Sequence, residues 1–207
     1  MDSIGILSQK GGSGKTVIAT NLARSLQHRG HEVILVDTDQ QGSARDWVAT
    51  SEDTEPPHTV GVDRPRVHEE LPKVRGYDFA VVDGAGKVER MSTSVLKACD
   101  LIVIPVQPAG VDLWALGELI DLITARQEAV GSPQAAFVIS RAVVGTNLAS
   151  DAEDALSGLE FPLLDTRIHQ RVSYAKAITR GVSVLDLNDD KAKSEISTLT
   201  DEVLQML

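Results

Sequence analysis

Residues 8–16 read SQKGGSGKT, with Lys10 and Lys15 set among three glycines. A phosphate-binding loop has the pattern G-x-x-x-x-G-K-[ST]. Gly14, Lys15 and Thr16 fill its last three places, but Gln9 stands where the first glycine belongs and Lys10 follows it. The chemistry still fits a phosphate. Gly11, Gly12 and Gly14 let the main chain curl so that its N–H groups point inward as donors. A helix starting near Lys15 adds its positive N-terminal end. Lys15 is expected on the β- and γ-phosphates and the Thr16 hydroxyl on Mg²⁺, with Ser13 and Val17 in the same binding set. Spacing alone leaves Lys10 as a spare charge.

Mg²⁺ beside phosphates takes carboxylates and water. Asp37 and Asp83 each close a hydrophobic run, EVILVD and DFAVVD. Either can serve the metal, or be an ordinary strand-end acid or helix cap. Asp39 lies two residues beyond Asp37, in DTDQQGS. It can orient a water for attack on the γ-phosphate or be a plain turn aspartate.

These residues need elements to hold them. Short apolar runs at 3–8, 32–37, 78–83, 100–106 and 135–140 read as buried strands. Between them lie helical patterns. In 16–30, Ile18, Leu22 and Leu26 recur four apart before Gly30, and 111–130 is a second long helix. Continuous apolar strands separated by helices imply an α/β fold of three layers, with a mostly parallel sheet covered on both faces. Ligands of such sheets sit at the carboxyl ends of the strands, where the loop, Asp37 and Asp83 all fall. The polar segment 51–72, with four prolines, reads as a surface excursion with one short edge strand. No linker divides the chain, so residues 1–207 are expected to form a single domain.

Bulk composition narrows the classes. Aromatics are 3% of the chain against 42% hydrophobic residues, so aliphatic side chains build the core. The one cysteine, Cys99, excludes an intramolecular disulfide and a cysteine-only metal site, and reads as a small core residue. No leader and no membrane-length apolar run is visible, which points to a cytoplasmic protein. The net charge of −10 argues against a chain coated in nucleic acid. One stretch stands apart. Residues 166–180, TRIHQRVSYAKAITR, hold Arg167, Arg171, Lys176 and Arg180 and no acid. It is either a solvated helix face or a surface that neutralises backbone phosphates without reading bases.

KGGSGKT, VDTDQQG and FAVVDGAG together resemble the deviant Walker-A cytoskeletal ATPases, and within them the small ParA-type plasmid partition ATPases of the ParF-like branch. ISR at 139–141, IHQRVSYAKAI at 168–178 and GVSVLDL at 181–187 extend the resemblance over essentially the whole chain. It implies a P-loop fold, ATP and ADP as nucleotides, Mg²⁺, and slow, partner-stimulated hydrolysis. Lys10 corresponds to the signature lysine, which crosses an ATP-bound homodimer to the partner's phosphates. Asp37 matches the acid near the metal, Asp39 the acid that supports hydrolysis and Asp83 the Walker B aspartate. Asp112 falls at an acidic position of the nucleotide and dimer face, and Arg141 near the adenine. The resemblance also implies a ParB-like, centromere-bound adaptor and non-specific binding to nucleoid DNA, with 166–180 as the DNA surface. Two departures stand out. Gln40 replaces a common proline, which bears on the loop's rigidity. DGAG at 83–86 replaces a pair of prolines, a feature shared with the ParF-like branch.

Other readings compete. A MinD-like membrane ATPase needs a cationic amphipathic tail, but 189–207 carries five acids against Lys191 and Lys193. Its stripe of Ala192, Ile196, Leu199, Val203 and Met206 is expected to pack on the domain. A P-loop synthetase needs a substrate pocket with no recognisable signature here. An iron-protein reductase needs more than one cysteine, and a tyrosine kinase needs a tyrosine-rich tail.

Overall fold

In a computed structural model of the chain, residues 1–51, 55–86, 89–108, 111 and 113–207 are described. Seven strands form one sheet: β1 (Asp2–Ile6), β2 (Val33–Asp37), β3 (His58–Gly61), β4 (Phe79–Asp83), β5 (Leu101–Val106), β6 (Gln134–Ala142) and β7 (Leu163–His169). Their spatial order is β3-β2-β4-β1-β5-β6-β7, and every pair is parallel. β1, β2, β4 and β5 are buried along almost their whole length, which is why each reads as an unbroken apolar run.

Helices cover both faces. On one lie α1 (Lys15–His28), α2 (Ser43–Ala49), α7 (Val172–Arg180) and α8 (Asp190–Gln205). On the other lie α3 (Val67–Glu70), α4 (Glu89–Ala98), α5 (Leu113–Val130) and α6 (Leu148–Leu156). Successive strand residues feed the two layers in turn. Val33 and Leu35 belong to the core on the α1 face, while Ile34 and Val36 belong to the core on the opposite face, with Val67, Leu71 and Val95. Ile18, Leu22 and Leu26 form the fully buried stripe of α1. In α8, Ala192, Ile196, Leu199 and Val203 are buried as their spacing requires. Cys99 is buried against the sheet with its thiol unpaired, and burial pushes that thiol well above its usual range. Among the described residues, no helix is long and apolar enough to cross a membrane.

One strand escapes the sequence reading. Residues 166–180 are not one helix face: the first four belong to β7 and the helix begins only at Val172. β7 alternates buried and exposed residues because it is an edge strand, so it lacks the long apolar run of the others. An edge strand presents unpaired N–H groups, and α8 supplies the acceptors. Glu202 accepts from the main-chain N–H of Asp165 (2.8 Å) and Thr166 (3.3 Å). Glu195 accepts from the N–H (3.3 Å) and Nδ1 (2.8 Å) of His169, from Arg171 Nε (2.9 Å) and from the buried Tyr174 hydroxyl (2.9 Å). Two of the five acids on the polar face of α8 thus hold the sheet edge.

Glu195→Ala should therefore remove about 2–3 kcal/mol of stability in urea unfolding, because it strands several donors around one lost carboxylate. Glu195→Gln should recover part of the loss. Equal stability of the alanine variant and the parent protein would mean that the cluster is only surface decoration.

Candidate functional site

The carboxyl end of β1 runs straight into the glycine loop, and the loop into α1. Gly12 (φ 75°) and Gly14 (φ 91°) take the left-handed conformation that lets the chain reverse, and Gly14 caps α1. A Cβ on Gly14 would lie 2.6 Å from Ser140 Oγ at the end of β6, so space as well as φ excludes a side chain. Gly11 sits exposed at the crest and Val17 in the first turn of α1. Ser13 is buried, and its Oγ has no hydrogen-bond partner.

The two lysines occupy different environments. Lys15 is 9% exposed and its Nζ lies 3.4 Å from the main-chain carbonyl oxygen of Lys10. Burial depresses the pKa of Lys15, and the nearby carboxylates of Asp83 and Asp39 oppose that shift. The side chain of Lys10 is exposed on the outer lip of the same loop.

β2 and β4 are neighbours in register, so Asp37 and Asp83 stand side by side at their ends. They do different work. Asp37 Oδ1 accepts from Asp39 N (3.0 Å), and its Oδ2 from Ala44 N (3.1 Å) and Arg45 N (3.0 Å). It holds the 38–45 turn and caps α2, the alternative left open for a strand-end acid. Main-chain donors engage both of its oxygens, and this structural role stands beside its expected place near the metal, since a carboxylate has acceptor sites for more than three donors. Asp83 Oδ2 accepts from Thr16 Oγ1 at 2.7 Å, while its buried Oδ1 has no partner. A hydroxyl and an orphaned carboxylate oxygen beside a glycine loop fit a hydrated Mg²⁺, so Thr16 and Asp83 are the residues that would hold it. Burial, then the nearby charge of Asp37, raises the Asp83 carboxyl to about 7, against the Thr16 hydrogen bond and Lys15.

Asp39 is half-buried in the turn after β2. Its Oδ1 accepts from Gln41 N at 2.9 Å, and its charge is felt at Lys15. It combines a local turn bond with proximity to the loop. Asp112 lies outside the described residues. Arg141 has a left-handed φ of 58°, a conformation that is costly for a residue with a side chain. Its Nη1 donates to the Gly12 carbonyl at 3.0 Å, so it meets the loop's main chain.

Several residues had no sequence signal of their own. Gln107, just past β5, donates from Nε2 to the same Gly12 carbonyl. Thr38 is buried between the two acids of DTD. Its Oγ1 donates to Asp83 O (2.8 Å) and accepts from Ala85 N (2.9 Å), which stitches the ends of β2 and β4 together. Arg45 reaches Asp39 O (2.9 Å) and Asp63 (2.9 Å) and so braces the turn. The stretch 166–180 gives a mixed result. Arg167 pairs with Glu153 and Arg171 with Glu195, while Lys176 and Arg180 lie exposed on α7. The four cations therefore do not form one uncompensated face.

A strand–glycine loop–helix unit with a buried lysine, a threonine and a strand-end aspartate in a parallel sheet defines a P-loop nucleotide-binding protein. Residues 4–184 match the family described as the CobQ/CobB/MinD/ParA nucleotide binding domain, and the chain belongs to that family of P-loop ATPases. It is 31% identical to maintenance of carboxysome distribution protein A of Halothiobacillus neapolitanus, covering 98% of this chain and 96% of that one. It is 24% identical to a probable plasmid-partitioning protein ParA of Thermus thermophilus, over 94% of this chain and 76% of that one. Among solved structures, cobyrinic acid a,c-diamide synthase of Mycobacterium smegmatis superposes with a TM-score of 0.80 at 18% identity, covering 99% and 94% of the two chains. At that identity the likeness shows the fold alone.

Two outcomes test the site. Lys15→Ala should abolish nucleotide binding in titration calorimetry, and retained affinity would contradict the phosphate role. Asp83 binds its proton more tightly in the folded chain than its ordinary carboxyl value of about 4 allows in the unfolded chain. The ligand-free protein therefore loses stability as pH rises from about 4 through about 7. Asp83→Asn should melt with the parent below about pH 4 and above it near pH 8. A melting difference that does not change with pH would show that Asp83 does not titrate there.

Proposed function

We propose that the chain is an ATP-switched positioning ATPase that works as a nucleotide-dependent homodimer. Lys15 and the loop N–H groups hold the phosphates, and Thr16 and Asp83 hold Mg²⁺, which supplies charge neutralisation on the phosphate oxygens. Asp39 orients the attacking water. Lys10 serves the second copy's phosphates in trans, as a charged finger does.

The observation that carries this reading is the split between the two loop lysines, one buried inside the loop and one exposed on its rim. The cleft beside the rim supports it. Lined by Gln9, Lys10, Ser13, Gln107 and Leu116, it encloses only about 40 Å³. A ligand pocket is normally about 300 Å³ or more. A nucleotide on this loop would lie largely uncovered until a second molecule closes over it.

The dimer rides DNA non-specifically and engages an adaptor on its cargo, and hydrolysis returns it to monomers. The relative at 31% identity over nearly the full chain has carboxysome distribution in its name. That favours a proteinaceous body as cargo, with a ParB-like adaptor on its surface. Plasmid partition is the second reading, favoured by the ParA relative.

Lys10→Ala should keep ADP affinity and lose the ATP-dependent dimer in light scattering. An unchanged dimer would sink the trans role. Hydrolysis by the unaltered protein should also rise with DNA and adaptor together; indifference to both would count against positioning.

A further inference from the structure

Two turns leave the carboxyl edge of the sheet near the buried lysine, one after β2 and one after β4, and Thr38 joins them. Thr38 is 1% exposed. Its Oγ1 donates to Asp83 O (2.8 Å) and accepts from Ala85 N (2.9 Å), and its own N–H donates to Asp83 O (3.1 Å). The hydroxyl is thus used in both directions, which no apolar side chain of the same shape can do. Branching at Cβ restricts its rotation, so the hydroxyl is aimed as well as present. Residue 85 can give its bond only because it carries an N–H, which a proline there would lack. The turn after β4 is held at its other residues too. Gly84 N donates to Ile6 O at 3.0 Å, and a Cβ on Gly84 would lie 2.5 Å from that oxygen. A Cβ on Gly86 would lie 3.7 Å from Lys15 Nζ, so the turn arrives at the buried lysine of the loop. On the β2 side, Asp37 holds Asp39 N at 3.0 Å, and the charge of Asp39 is felt at both Lys15 and Asp83.

We propose that Thr38 is a positioning residue for ATP hydrolysis: it locks the 84–86 turn to the turn that carries Asp39, so that both stand in fixed relation to the phosphate end of the nucleotide. Thr38 does not itself reach the reacting atoms, because it is buried and its hydroxyl is engaged by the main chain. It acts through the relative placement of Gly86 and Asp39. Binding of the nucleotide by Lys15 and the glycine loop does not depend on that placement. Alignment of a water with the terminal phosphate does, because an attacking group tolerates little misplacement. Removal of the hydroxyl should therefore appear in the rate of hydrolysis and not in nucleotide affinity. A threonine that only filled the core would show the reverse, with lower stability and normal turnover by the folded molecules. The assignment rests on the water-orienting reading of Asp39 above and supplies what holds that residue in step with the opposite turn.

The test is single-turnover hydrolysis of radiolabelled Mg-ATP, with titration calorimetry of ADP on the same variants. Thr38→Val should slow hydrolysis about tenfold, the size of one buried hydrogen bond, and leave ADP affinity within about twofold of the parent. Thr38→Ser keeps the hydroxyl and should recover most of the rate. Glu195→Ala, destabilised at the β7 edge, should hydrolyse at the parent rate below its melting temperature, which separates lost stability from lost alignment. A valine variant that hydrolyses at the parent rate overturns the proposal. So does one that loses ADP affinity as much as rate, or whose rate serine does not restore, for Thr38 would then only shape the fold. If Asp39→Asn hydrolyses at the parent rate, the water-orienting reading falls and this assignment with it. If Asp39→Asn is slow and Thr38→Val is not, only the assignment falls.

Discussion

The hydrogen bond from Thr16 Oγ1 to Asp83 Oδ2 joins the start of α1 to the end of β4 across the middle of the sheet. It can form only because β4 lies against β1 in parallel register, so that Asp83 pairs with Ile6 where the glycine loop departs. Around it the structure buries a carboxylate oxygen and a serine hydroxyl with no partners, and a lysine beside a carbonyl oxygen. Unpaired buried polar groups are costly. They persist here because the surrounding sheet, buried on both faces, over-determines their positions. The same groups are what a phosphate and its cation require.

The acids at the carboxyl edge divide their labour by what already surrounds them. Asp37 has main-chain donors on both oxygens, and it shapes the turn that carries Asp39. Asp83 keeps one oxygen open. The glycine loop is held from the far side as well. Arg141 and Gln107, from the ends of β6 and β5, converge on the single carbonyl of Gly12. Two strands beyond β1, β5 and β6, therefore contribute to one loop, and the strained backbone of Arg141 is tolerated for that contact.

Charge placement follows a similar logic. The acidic tail helix is not simply a solvated face, because Glu195 and Glu202 supply acceptors to the exposed edge of β7. Glu195 also compensates Arg171 next to it.

The sequence by itself determined the glycine loop, its two lysines, the buried central strands and the edge acids. Those signals are local: a fixed spacing, a continuous apolar run, a polar residue at its end. It also carried the family, because three such motifs co-occur in order. It did not determine β7, whose edge position gives a weak alternating pattern that a neighbouring helix can mimic. Nor did it separate Asp37 from Asp83, since both close an apolar strand. Only tertiary structure decided which carboxylate was capped and which was left open, and which arginines were paired. Those outcomes depend on partners far away in the chain: Glu153 and Glu195 for Arg167 and Arg171, and Thr16 for Asp83. Contacts of that range are set by how helices dock on the sheet, and a one-dimensional pattern holds no record of that docking.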